Sequence, residues 1–375
     1  MRVVDFPLEV PSEDGPRQLR ATYFGVPGAR PRVYIQAGLH ADEIPGMLVA
    51  HYLRELLTDL ESKGLLTGEI VLVPVANPIG LEQTLHHQLL GRYDLRSGEN
   101  FNRYYPDFLD AVWQRVGESL GKDVTENVLK IRGALNDAID QWKPGSEVQS
   151  LRKTLMRLAA DADLVLDLHC DAESVMHFYT ESPCWPQLKP LADYLRCRVV
   201  LLSRQAPGQS FDESLSGVWW RLADRLGTSQ SSEAIAQACL SATIELRGQA
   251  DVSDQQASQD ALQILQFLMR FGAVQGIPED VPEALCQATP LAGSHTLVAP
   301  SAGVVVFRAD LGADVGKGQT VVRLVDPKDG VVTPVCSEVS GLFYARTRER
   351  YVQAGAELAK VAGRVAFRTG ELLGA

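Results

Sequence analysis

Val33–Gly46 reads VYIQAGLHADEIPG, and how this stretch is taken decides the fold. Val33–Ala37 has the aliphatic and aromatic character of a buried strand, and Gly38 ends it. Beyond the turn, Val49, Leu53, Leu56, Leu57 and Leu60 recur at i, i+4, i+7, i+8 and i+11, which is the period of a helix with one apolar face. Strand, turn and helix follow one another. Further apolar runs repeat the theme: EIVLVPVANP at 69–78, closing on the turn signal Asn77-Pro78, then ADLVLDLH at 162–169, CRVVLLS at 197–203 and SATIELRG at 241–248. Near-continuous apolar strands separated by helices predict an α/β fold, with a mixed, mostly parallel sheet flanked by helices. Ligands of such sheets sit beyond the carboxyl ends of the strands. The residues that end the strands therefore have to be read together.

The rest of the chain sets the bounds. Its 375 residues suffice for two units. A net charge of −11 argues against a nucleic-acid binder, which needs a clustered basic face. MRVVDFPLEVPSEDG lacks the apolar core and cleavage site of a signal peptide. No run approaches the roughly 18 apolar residues of a membrane span. Cys170, Cys184, Cys197, Cys239, Cys286 and Cys336 show no paired spacing and read as reduced thiols, so a cytoplasmic location is expected. Residues 107–160 read as mainly helical, with ENVLKIRGALNDAIDQW the clearest part, as an insertion that caps or shapes the cleft. A polar loop and an amphipathic helix follow at 246–274, and QGIPEDVPEAL suits a linker. From Leu291 glycine and valine dominate, and VAPSAGVVVFRADLGADVGKGQTVVRLV pairs loosely with VCSEVSGLFYARTRERYVQAGAELAKVA. A repeat of short strands predicts a small β-sandwich or flattened barrel. Two units are expected, 1–285 and 291–365.

Four strand ends carry chemistry: GLHADE, VANP, DLHCD and IELRG. His40, Glu43 and His169 form a two-histidine, one-carboxylate set, the usual donor set of a catalytic zinc with one open position. The plainer reading makes Asp42 or Glu43 a helper of the next helix's first turn and His169 a structural residue. Glu245 inside ATIELR is expensive in a core unless it is functional or paired, Arg247 being the nearest partner. Arg92, Arg96 and Arg103 sit with Asn102 in GRYDLRSGENFNRYYPD. An arginine fork suits carboxylates and can face an oxyanion, although a solvated loop would also carry such residues.

In chain order the motifs are H-x-x-E, G-R-Y…N-F-N-R, D-L-H and I-E-L-R. This combination resembles the succinylglutamate desuccinylase and aspartoacylase branch of the zinc carboxypeptidase-like superfamily, over roughly residues 30–270. The resemblance implies one Zn²⁺ per chain held by His40, Glu43 and His169, with Glu245 as general base acting on a zinc-activated water. NFNR stands where the family typically has D-L-N-R, which gives Asn102 and Arg103 a substrate-binding role. Arg92 best matches the arginine that faces the oxyanion, with Arg96 close enough to be kept beside it among the substrate-binding residues. Asp167 and Asn77 are expected to support the metal ligands. The expected activity is hydrolysis of the amide bond of a small N-acyl amino acid. The alternatives are a metallocarboxypeptidase acting on peptides and a catalytically silent ligand-binding homologue. No nucleic-acid or membrane partner is expected, and a homo-oligomer is left open. The C-terminal repeat resembles a biotinyl/lipoyl-like fold. Its one lysine in such a turn, Lys328 in DPKDG, has no flanking methionine, so a packing module is expected in place of a carrier.

Overall fold

In the computed structural model, which describes residues 1–11, 15–204, 210–227, 234–370 and 372, the strand–turn–helix unit of the opening stretch lies at the centre. Strands β1 (Arg2–Pro7) and β2 (Gln18–Gly25) form an edge hairpin that sequence periodicity did not reveal. Next come β3 (Arg32–Ala37), α1 (Pro45–Ser62), β4 (Glu69–Val73), the single turn α2 (Pro78–Leu81) and a small hairpin of β5 (Thr84–Leu85) and β6 (Gln88–Leu89). Helices α3 (Leu109–Val116), α4 (Val124–Gln141) and α5 (Glu147–Ala159) follow. The chain then runs through β7 (Leu164–Asp171), β8 (Glu173–Ser174), β9 (His177–Glu181), α6 (Trp185–Tyr194) and β10 (Val199–Ser203). It continues with α7 (Phe211–Leu226), β11 (Leu240–Gly248), α8 (Asp254–Phe271) and β12 (Thr289–Pro290).

The nine-stranded sheet has the order β1-β2-β4-β3-β7-β11-β9-β10-β12. Five of its eight pairings are parallel: β3 with β4 and β7, β7 with β11, and β10 with β9 and β12. Alternation along the strands explains their apolar runs, because both faces are covered. Val33, Ile35 and Ala37 of β3 pack under α1 and α8 with Leu53, Leu57, Ile264 and Leu268. Tyr34 of β3 and Val71 and Val73 of β4 face α4, α5 and α7, against Ile131, Leu135, Leu151, Leu155 and Trp219. Helices α3–α5, expected to cap the cleft, are thus a layer of the main core. Arg152 on α5 still reaches the site loop, donating to Glu99 Oε2 at 2.7 Å and to the Asn100 carbonyl at 3.1 Å.

That second face turns polar toward the carboxyl ends of the central strands. On β7, Leu164, Leu166 and Leu168 face α1, while Asp167, His169 and Asp171 occupy the alternate positions. On β11, Ala242, Ile244 and Leu246 are the apolar set, and Ser241, Thr243 and Glu245 share the other face. The two strands are in parallel register with Glu245 opposite His169.

The C-terminal repeat folds as two antiparallel sheets around Leu297, Val305, Val321, Leu324, Phe343, Leu358 and Val361. Its strands are β13 (Ser294–Val298), β14 (Gly303–Phe307), β15 (Asp314–Val315), β16 (Thr320–Val325), β17 (Val332–Cys336), β18 (Gly341–Arg346), β19 (Tyr351–Val352) and β20 (Glu357–Gly363). One sheet runs β13-β20-β18-β15 and the other β17-β16-β14-β19. Advancing each label by one repeat converts one order into the other, so the sequence repeat is an interleaved structural repeat. The stretch between the two expected units is not a bare linker, since β12 joins the main sheet at β10. Conversely β8, from the N-terminal part, pairs with β18 of the C-terminal sheet.

Candidate active site

His40 and Glu43 sit in the turn between β3 and α1. Helix α1 opens at Pro45, a residue suited to the first turn, and Glu43 precedes it. Glu43 therefore does not serve that helix's first turn. Its carboxylate bridges the two histidines: Oε1 lies 2.8 Å from His40 Nδ1 and Oε2 lies 2.8 Å from His169 Nδ1. The amide of Cys170 donates to Oε2 at 3.0 Å. One ligand atom from each of these three buried residues falls within 4.8 Å of the others, the cluster that could hold a metal ion.

The outer ring nitrogens are held by acceptors. His40 Nε2 is 2.9 Å from Asn100 Oδ1, and His169 Nε2 is 2.9 Å from Asp167 Oδ2. An acceptor at Nε2 keeps the proton there and turns the Nδ1 lone pair inward, the usual support of a metal-bound imidazole. Gln36 Nε2 donates to Asp167 Oδ1 at 2.9 Å, and Tyr34 Oη donates to Gln36 Oε1 at 2.9 Å. Burial lowers the affinity of His169 for a proton, but Asp167 and Glu43 outweigh it and hold the group well above its ordinary value. The same two carboxylates favour a cation at Nδ1. Burial and then Arg92 hold His40 below its ordinary value, whereas Glu43, despite burial, is kept well below its own by the two histidines. The donor set fits a divalent metal, with Asp167 as the expected supporting group. Asn77, the other, acts on the backbone: Nδ2 donates to the Leu39 carbonyl at 2.9 Å and Oδ1 caps α2 at Gly80.

The arginine loop reaches this turn through Gly91. Ala41 donates to the Gly91 carbonyl at 3.0 Å, and a Cβ on Gly91 would lie 2.3 Å from the Asp42 nitrogen. Arg92 follows, with Nη1 donating to Glu43 Oε1 at 3.0 Å. Arg103 also lines the cleft and donates from Nη1 to the Asn102 carbonyl at 2.7 Å. Arg96 does not line it: Asp94 closes a turn by accepting from Ser97 and Gly98, and residues 95–98 are turned to solvent. Asn102 is buried and lines the cleft beside His169. Its Oδ1 accepts from the Phe211 amide at 2.9 Å, and its Nδ2 lies 3.4 Å from His169 Nε2. The Asn102 side chain thus holds the start of α7 and packs against the His169 ring.

Glu245 lines the cleft between these groups. The partner its sequence context suggested, Arg247, takes a positive φ of 63° at a bulge and pairs with Asp260 on α8. Glu245 Oε2 is buried with no hydrogen-bond partner among the described residues. Burial, with Glu43 nearby, pushes its carboxyl up to about 8. Further along the wall stand Thr243, Asp212, Glu213, Asp171 and, from β20, Lys360. Sequence reading passed over these. Asp171 had a local signal, being two positions after His169 on the same strand face, and Asn100 lay in the quoted arginine loop. Lys360 had none.

A model of the succinylglutamate desuccinylase/aspartoacylase catalytic domain matches residues 29–140. No curated protein matches the chain. Among solved structures, a succinylglutamate desuccinylase/aspartoacylase family protein from Shewanella amazonensis is 26% identical, with a TM-score of 0.83 over 96% of this chain and 98% of that one. A second from Shewanella frigidimarina is 24% identical, with a TM-score of 0.85 over 96% and 97%. The product-bound ectoine utilization protein EutE (DoeB) from Ruegeria pomeroyi shares the fold at 17% identity, with a TM-score of 0.68 over 96% and 95%. Motif order, the match of residues 29–140 to the catalytic-domain model and near full-length structural agreement converge: the chain is similar to the succinylglutamate desuccinylase/aspartoacylase family in that domain and shares the fold of its solved structures.

Proposed function

We propose that this protein is a zinc-dependent amidohydrolase that releases the acyl group of a small N-acyl amino acid. One observation carries the reading: two histidine Nδ1 atoms and the Glu43 carboxylate converge at the mouth of a sheet, beside the unpartnered oxygen of Glu245. His40, Glu43 and His169 would hold the metal. A zinc ion bound there lowers the pKa of water and polarises a carbonyl oxygen. Glu245 takes a proton from the attacking water and returns it to the leaving amine as the C–N bond breaks. Arg92 faces the charge that develops on the carbonyl oxygen, and Arg103 binds a substrate carboxylate with its fork. Asn102 braces His169. Residues 1–285 form the catalytic unit, and residues 291–365 form a module that walls the cleft.

A small substrate is favoured over a peptide. Leu201, Ser203, Leu291 and Lys360 line the cleft with His169 and Glu245, so the C-terminal module contributes to its wall. The experiment is metal analysis of the purified protein and of His40→Ala and His169→Ala, together with a panel of N-acyl amino acids and short peptides. About one zinc per chain, its loss in both variants and hydrolysis within the N-acyl panel are expected. Full zinc in both variants, or cleavage of peptides alone, would contradict the reading.

A further inference from the structure

Arg152 stands on α5 with 2% of its side chain exposed, flanked by the core residues Leu151 and Leu155. Its side-chain hydrogen bonds and ring contacts to the described residues all fall on one segment, residues 99–105. Nη1 donates to Glu99 Oε2 at 2.7 Å, and Nη2 donates to the Asn100 carbonyl at 3.1 Å. The guanidinium lies 5.8 Å from the Tyr104 ring centroid and 5.9 Å from that of Tyr105, within cation–π range. Tyr104 takes a positive φ of 61°, a conformation that a residue with a Cβ keeps only where its surroundings impose it.

Stability alone does not account for this arginine. Its ionic partner, Glu99, is 37% exposed, and its own buried Nε has no partner among the described residues. A buried charge satisfied only in part is costly, and an apolar side chain of similar volume is often no worse for stability. What the guanidinium fixes is Asn100. The carbonyl that accepts from Nη2 also accepts from the Arg103 amide at 3.2 Å, which closes the turn carrying Arg103. Phe101, the next residue, donates to the Arg92 carbonyl at 3.2 Å, so the same backbone braces the other cleft arginine of the loop. The Asn100 side chain serves the metal donors. Its Oδ1 accepts from the Asn102 amide at 2.8 Å and from His40 Nε2 at 2.9 Å, while its buried Nδ2 has no partner among the described residues. The amide that orients His40 is therefore held through Oδ1 and through the backbone that Arg152 anchors.

We infer that Arg152 is a positioning residue of the active site: through the Asn100 backbone it fixes the acceptor of His40 Nε2, and with it the direction of the Nδ1 lone pair toward the other metal donors. This rests on the amidohydrolase reading above. The test is the zinc affinity of the metal-free protein, measured by chelator competition, for wild type, Arg152→Met, Asn100→Ala and the double variant. Urea midpoints and NMR spectra of the histidine ring nitrogens of the metal-free protein are measured alongside. Arg152→Met should bind zinc about tenfold more weakly, with an unchanged or higher urea midpoint. It should also turn the single Nε2–H form of His40 into a mixture of tautomers, the His40 signal being the one absent from His40→Ala. In the Asn100→Ala background, Arg152→Met should cost no further zinc affinity, because the route runs through Asn100. Lower stability with unchanged zinc affinity marks a structural tie only and overturns the inference, as does an additive loss in the double variant. Should Arg152→Met not fold, Arg152→Lys, which keeps the charge without the fork, is read in the same way with the same result expected. A wild type that binds no zinc would sink the amidohydrolase reading, and the histidine spectra would then decide this inference by themselves.

Discussion

Arg92 and Arg103 are eleven residues apart in one loop, and the structure gives them different neighbours. Arg92 touches the Glu43 carboxylate beside His40, whereas Arg103 stands toward Asp212 and Glu213. Arg92→Ala should lower kcat by about a hundredfold with a modest change in KM, because it removes charge stabilisation needed in the transition state. Arg103→Ala should raise KM about tenfold or more and spare kcat. Steady-state kinetics that show the opposite split would exchange the two roles. His40, Glu43, His169 and Glu245 were legible as candidates because each ends a strand, where an α/β sheet keeps its chemistry. The choice between Arg92 and Arg96 was not, because it depends on the close approach at Gly91 and on the Asp94 turn, which are backbone events. Asn102 was legible as a member of the site, but its contact with α7 was not.

Strand β9 was not foreseen, for a physical reason. HFYTE has only two apolar residues between polar ends, so its burial comes from β10, β11 and α7 and not from its own pattern. The buried end, Glu181, shows the consequence. Its Oε2 accepts from Ser216 Oγ at 2.5 Å and its Oε1 accepts from Trp220 Nε1 at 2.7 Å. Burial still pushes its carboxyl from 4.5 up to about 7. The folded chain therefore binds this proton more tightly than the unfolded chain, and stability falls as pH rises from about 4.5 to about 7, then levels. Glu181→Gln should remove that slope. It should be near wild type at pH 4.5 and more stable at pH 8, by at most about 3 kcal/mol. Urea midpoints at the two pH values measure this, and a variant–wild-type difference independent of pH would refute it.

At the scale of the molecule, the parallel sheet and the C-terminal sandwich were readable, since both are written in local periodicity and in a repeat. What was not readable joins distant parts: β8 with β18, β12 with β10, and Lys360 with Asp171 across 189 positions. Such contacts leave no trace in either segment alone. Among the described residues no helix is long and apolar enough to cross a membrane. The whole architecture brings four strand ends and one strand of the sandwich around Glu245, whose Oε2 has no hydrogen-bond partner among the described residues. Glu245→Gln preserves volume but cannot accept the water's proton. Metal content and amide hydrolysis measured together on this variant are the most direct test. A folded protein with wild-type zinc and hydrolysis lowered by at least about a hundredfold is expected. Unchanged turnover at equal zinc, or loss of zinc, would contradict Glu245 as the general base.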